Sequence, residues 1–153
     1  MDGRANDEMP NPRREVRALC AATTVALVAV ERAGLLVDDT PEYALSTLQR
    51  WSEGEADATE LAEVIDQTQS LVRAHQEQGS KAPPPLVAVV AAVDCVARVA
   101  RDVEWAGVDA EVSLDRTALW WAETVLELLG EESEAAAARI ALSWDQALHA
   151  PTH

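Results

Sequence analysis

The chain contains no phenylalanine, one tyrosine, two cysteines and three histidines. Without phenylalanine, a 48% hydrophobic content that is mostly Ala, Val and Leu must build the interior, and small aliphatic cores suit closely packed helices. The two cysteines, Cys20 and Cys95, lie inside apolar runs with no Cys-x-x-Cys spacing. They are expected to behave as small buried hydrophobes, for which a reducing cytoplasm is the simplest setting. No apolar run approaches the ~20 residues that a spanning helix needs. The run from Ala18 to Val30 follows Arg13, Arg14 and Arg17 as in a signal peptide. It leads into Glu31 and Arg32, where a cleavage site would place small residues. A Gly-rich phosphate loop, a Gly-x-Ser-x-Gly elbow and a His-Glu-x-x-His pair are all missing, so enzyme activity is not expected.

What is present is charge of one sign. The 153 residues carry a formal net charge of -15. Residues 35–79 hold ten acids against Arg50 and Arg73, and residues 102–134 hold ten against Arg116. Such a field repels nucleic acid and anionic membrane surfaces, and it speeds the encounter with a basic protein partner. The same acidity also keeps a protein soluble, and composition does not separate the two uses.

Helical punctuation divides the chain into six segments. Residues 1–11 are polar and rich in breakers, the pattern of a flexible tail. Asn11 before Pro12 reads as a cap, and helix 1 runs to about Ala33 with Gly34 as its stop. Val16, Leu19, Cys20, Ala26, Leu27 and Val30 spread widely around that helix, as in a central helix with several neighbours. Thr40 and Pro41 repeat the cap-then-proline signal for a helix through Leu45, Leu48 and Trp51, stopped at Gly54. Asp57 with Glu60 matches a capping box. The third helix then places Leu61, Val64, Ile65, Thr68, Leu71, Val72 and His75 on one face, and Glu63, Asp66, Gln67, Arg73 and Gln76 on the other.

The proline-rich loop at 79–85 should be extended, because consecutive prolines favour polyproline geometry and bar the residue before each from helix. Helix 4 is expected from about Leu86 to Trp105, buries Val89, Val93, Val96, Ala100 and Val103, and stops at Gly107. Helix 5, from about Val112 to Leu129, buries Leu114, Ala118, Trp121, Val125 and Leu128 before Gly130. Helix 6 opens on Glu131, Glu132 and Glu134 and buries Ala137, Ile140, Ala141, Trp144 and Leu148. No stretch alternates as a half-buried strand does, and no fixed repeat is evident. The fold class is all-α, a single-domain bundle of about six helices over residues 12–150.

Few residues invite chemistry. His75 ends an apolar face near a helix C-terminus, where a half-buried structural histidine is commoner than a ligand. No Glu stands three residues before a histidine, which excludes the di-iron bundle pattern. The pairs Glu60 with Glu63 and Glu123 with Glu127 read as solvated surface. No metal and no cofactor are expected.

The tryptophans say more. Trp51, Trp121 and Trp144 fall on apolar faces. Trp105 shares a helical face with Asp94, Arg98 and Arg101, which serves either as an exposed binding surface with Arg101 reaching the indole, or as a packing edge with a salt link. Trp120 stands about 100° from Trp121, beside Thr117, Thr124 and Glu127. It reads as an interface anchor, or as the second indole of one wide groove.

Pro41-Glu42-Tyr43-Ala44-Leu45, followed by Leu48, Trp51, Gly54-Glu55-Ala56 and Leu61, resembles the "Pro-x-x-Ala-Leu … Trp-x-x-Gly-Glu" opening of small helical bacterial immunity proteins of polymorphic toxin systems. The likeness covers about residues 40–65, and the histidines associated with that family's later helices are missing here. It implies neutralisation of a toxin by binding. The expected function is non-catalytic binding of a basic protein partner, with Trp120, Trp105, Arg101 and Arg98 as interaction candidates, without nucleic acid or membrane. Two other roles stay open: a structural subunit of a bacterial assembly, homo-oligomeric or otherwise, and a helical bundle with a small-molecule pocket.

Overall fold

The computed structural model describes residues 12–36, 39–78, 81–106 and 116–150. These form six helices: α1 (Pro12–Arg32), α2 (Thr40–Ser52), α3 (Ala58–Gln78), α4 (Pro84–Ala106), α5 (Arg116–Leu128) and α6 (Ser133–Leu148). There is no strand among the described residues, and the fold is an all-α bundle. The tail at 1–11, the cap at Asn11, the stop at Gly107 and the segment with Val112 and Leu114 lie outside the described residues.

Helix α1 is the hub. Its apolar residues cover most of its circumference, and it packs against α2, α4, α5 and α6. Val16, Leu19, Ala26 and Val30 are fully buried, and Cys20 and Leu27 nearly so. On α4, Val89, Val93, Val96 and Ala100 are sealed against α1, α3 and α5. Valine is a mediocre helix former, so this packing is what holds α4 helical.

The ends of the helices follow local rules. α1, α2 and α5 each close on a glycine of positive φ, namely Gly34 (73°), Gly54 (82°) and Gly130 (105°). In each, the next residue's N–H reaches back six residues inclusive, as in Leu35 to Val30, Glu55 to Arg50 and Glu131 to Leu126. That is the Schellman closure, which needs a left-handed residue. The capping box of α3 forms as its spacing predicts: Glu60 N–H donates to Asp57 Oδ1 at 2.9 Å, and Asp57 N–H to Glu60 Oε1 at 3.4 Å.

Four expectations need correction. Thr40 is not the cap of α2 but its first residue; Asp39 takes the cap position without a side-chain hydrogen bond. Pro84 and Pro85 are not extended but form the first turn of α4, where the missing N–H groups have no helical partner to lose, and Val87 N–H makes the first bond, to Pro83 O. Leu128 is 48% exposed, because the inward stripe of α5 runs through Ala118, Ala122, Val125 and Leu126. On α6 only Ala136 and Ile140 are fully buried; Ala137, Trp144 and Leu148 are half-buried and Ala141 is exposed, since this helix packs on the outside of α1 and α5.

Two polar clasps join elements distant in sequence. Trp51 is fully buried, and its indole Nε1–H donates to Glu104 Oε1 at 2.8 Å. The Arg13 guanidinium lies 4.2 Å above the same ring, pairs with Glu104 at 3.7 Å and donates to the Trp51 carbonyl. Arg17, 8% exposed, donates to the carbonyls of Ala147 and Ala150, each at 2.8 Å, and so closes the C-terminal end of α6 with a positive charge. Trp51→Ala should cost about 3–5 kcal/mol, and Glu104→Leu, which strands the indole N–H, about 1–3 kcal/mol; urea unfolding with an unchanged slope checks both.

Candidate interaction surface

Positions 94, 98, 101 and 105 share one face of α4, as their spacing requires. That face changes character along its length. Asp94, at the N-terminal end, is only 7% exposed. Its Oδ2 accepts from Arg98 Nε at 2.9 Å, while its Oδ1 is sealed with no partner among the described residues. Burial holds the Asp94 carboxyl above its ordinary 3.8, against the lowering pull of Arg98 and Arg101. Three turns on, Trp105 is 59% exposed. The packing edge and the open surface are thus two ends of one stripe.

Arg101 pairs with the neighbouring Asp102 at 3.5 Å. Among the described residues, the guanidinium that covers an indole is Arg13, over Trp51. An exposed pair such as Arg101 with Asp102 contributes little to stability, so its charges remain available to a partner.

Trp105, Arg101 and Asp102 form one wall of an open groove of about 610 Å³, and Ala62, Ile65, Asp66 and Gln69 of α3 form the other. A second open groove of about 600 Å³ runs along the opposite flank of α3, between Asp39, Thr40 and Tyr43 on one side and Asp66, Gln67, Ser70, Leu71 and Ala74 on the other. Asp66 borders both. The outer side of α3 is therefore a polar ridge between two troughs, one carrying Trp105 and the other Tyr43, which is 51% exposed.

Of the four interaction candidates, Trp105 and Arg101 share a groove and Arg98 lies one turn back, held by Asp94. Trp120 is elsewhere. It is 56% exposed on α5, its ring edge-on to Trp121 with centroids 4.8 Å apart. Leu128 lies two turns further along the same side.

Tyr43 and Asp66 were not singled out from the sequence. The signal for Tyr43 was its phase: Pro41, Ala44, Leu45, Leu48 and Trp51 take the inward positions of α2, so Tyr43 must point away. Asp66 was expected on the wet face of α3, but nothing local shows that two neighbouring helices raise a wall on each side of it.

No three His, Cys, Asp or Glu side chains converge as a metal site would require, among the described residues. None of the described helices is long and apolar enough to cross a membrane. No protein-family model, curated protein or solved structure matches the chain.

Since the folded carboxyl of Asp94 sits above its unfolded value, its contribution to stability is complete below that unfolded value and is lost as pH rises through the folded one. Asp94→Asn should therefore raise the melting temperature at pH 7 and leave it nearly unchanged near pH 3, which thermal unfolding at the two pH values will show.

Proposed function

We propose that this protein is a non-catalytic interaction protein that binds a basic protein partner, in the manner of an immunity or antitoxin protein, through the face formed by α3 and the C-terminal half of α4. The observation that carries this reading is the groove in which an exposed indole, Trp105, stands beside the carboxylates of Asp66 and Asp102. An arginine or lysine entering it can lay its cation on the indole while its N–H groups find a carboxylate. Tryptophan is also the residue most often found as an energetic anchor of an interface.

The wider field supports the same reading. A net charge of -15 draws a cationic partner from a distance, and Asp39 and Asp66 extend the negative surface to the Tyr43 groove. The resemblance of residues 40–65 to immunity proteins gives the partner a concrete form, a basic toxin domain. Repulsion of phosphate backbones argues against nucleic acid as the ligand.

The test is recovery of the tagged protein from its native cells at low and at high salt, followed by affinity measurements on what is bound. A basic protein released by salt, bound roughly tenfold or more weakly by Trp105→Ala and associating more slowly with the Asp66→Asn/Asp102→Asn double variant, is the expected result. Binding indifferent to salt and to Trp105→Ala would overturn the reading.

A second reading, a subunit of a larger assembly, rests on the exposure of Trp120, Leu128 and Leu142 on α5 and α6. It requires a concentration-dependent oligomer that Trp120→Ala disperses, measured by sedimentation.

A further inference from the structure

A third cavity, of about 320 Å³, differs from the two grooves in kind. It is more enclosed, its walls come from α3, α4 and α5, and no carboxylate, lysine or arginine lines it. Val72 of α3, Val87, Val90 and Ala91 of α4, and Trp121 of α5 supply the apolar surface, and His75 and the exposed Gln76 of α3 supply the polar part. None of the groove residues takes part. Helices fix the positions of the valines, and the edge contact with Trp120 steadies the Trp121 ring, so the walls do not collapse on the space.

Of the two polar side chains, His75 is the more buried. His75 Nδ1 is sealed from solvent with no partner among the described residues, and the ring makes no other hydrogen bond there. Nε2 is then the nitrogen that a ligand can reach. A buried N–H without an acceptor is rarer in folded proteins than a lone pair without a donor, so the neutral ring carries its proton on Nε2 and presents a donor. A largely apolar chamber with a few polar groups is the usual make-up of a small-molecule site, and 320 Å³ falls at the small end of such sites.

We propose that this chamber binds a small, uncharged, mainly apolar molecule of roughly ten non-hydrogen atoms, sized by the ~30 Å³ share of a liquid water, whose single hydrogen-bond acceptor is held by His75 Nε2. A charged ligand is disfavoured because no carboxylate, lysine or arginine in the wall repays its desolvation. This assignment is independent of the acidic face and stands or falls separately from it.

Acetophenone has this size and one carbonyl acceptor, and α-methylstyrene has the same shape with no acceptor. Each is titrated into the full chain while the methyl resonances of Val72, Val87 and Val90 are followed by NMR. The expected result is saturable shifts at these methyls, with acetophenone bound several-fold more tightly, a preference that disappears in His75→Phe. Ala91→Phe, which fills the chamber, should remove the shifts for both probes, and Val87→Phe serves the same purpose if the first variant does not fold. Absence of saturable shifts in the unmodified chain, equal affinity for the two probes, or persistence of the shifts in the filled variant would overturn the assignment.

Discussion

The indole N–H of Trp51 cannot be left without an acceptor inside the bundle, and much of the architecture follows from how that need is met. The ring is fully buried at the meeting of α1, α2 and α4, so its N–H must find a partner within the protein. Glu104 provides one but brings a negative charge close to the core, which Arg13 then balances while also covering the ring face. One aromatic burial thus recruits a carboxylate from α4 and a guanidinium from α1, residues more than thirty positions away on either side. The three helices cannot slide past one another without breaking several of these contacts together, and such coupled contacts exceed the sum of their parts. Arg17, one turn after Arg13, extends the same logic to α6.

This arrangement also explains the segment from Pro41 to Leu61. Pro41 sits in the first turn of α2, Ala44, Leu45 and Leu48 face inward, Trp51 anchors the polar clasp, and Gly54 supplies the left-handed closure. Arg50 stitches that closure to α3 through the Glu55 carbonyl and the Glu60 carboxylate. Each of these residues has a structural duty, so the segment specifies how a helical pair is joined. Under the proposed function, binding specificity would come from residues outside it, such as Trp105 and Asp66, or from the outward Tyr43 within it.

How far the fold could be read beforehand depended on the range of the forces involved. Caps, glycine stops and the apolar face of α3 are set by neighbours within one or two turns, and the Asp57–Glu60 box and the closures at Gly34, Gly54 and Gly130 appear where their spacing placed them. The faces of α5 and α6 were harder because α5 carries large apolar side chains on several sides and α6 is rich in alanine, and neither pattern sets a strong preference for which side packs. Leu128 and Ala141 accordingly lie outside while Leu126 and Ala136 lie inside. The exposure of Trp105 beside Arg101 was an open alternative in the sequence, since it depends on where α3 passes. Arg17 and Glu104 gave no signal at all: their partners are carbonyls or an indole brought close only by the folded bundle.

The distribution of duties among the helices follows from α1 being central. A helix whose circumference is nearly all buried leaves its neighbours as an outer ring, and each ring member has one inward side and one free side. α3 packs chiefly on α2 and α4, so its free side is broad, and the helices flanking it form the shoulders of two troughs. Its outward residues are polar and acidic because nothing in the fold asks them to be otherwise, which leaves them free to be selected for a partner. The half-buried clasp of Arg13 and Glu104 ends one residue before Trp105, so the indole proposed as an anchor projects from a stretch of α4 whose position is already held from the inside. A rigid base beneath an exposed aromatic lowers the ordering cost of binding, the condition under which a single indole can dominate an interface.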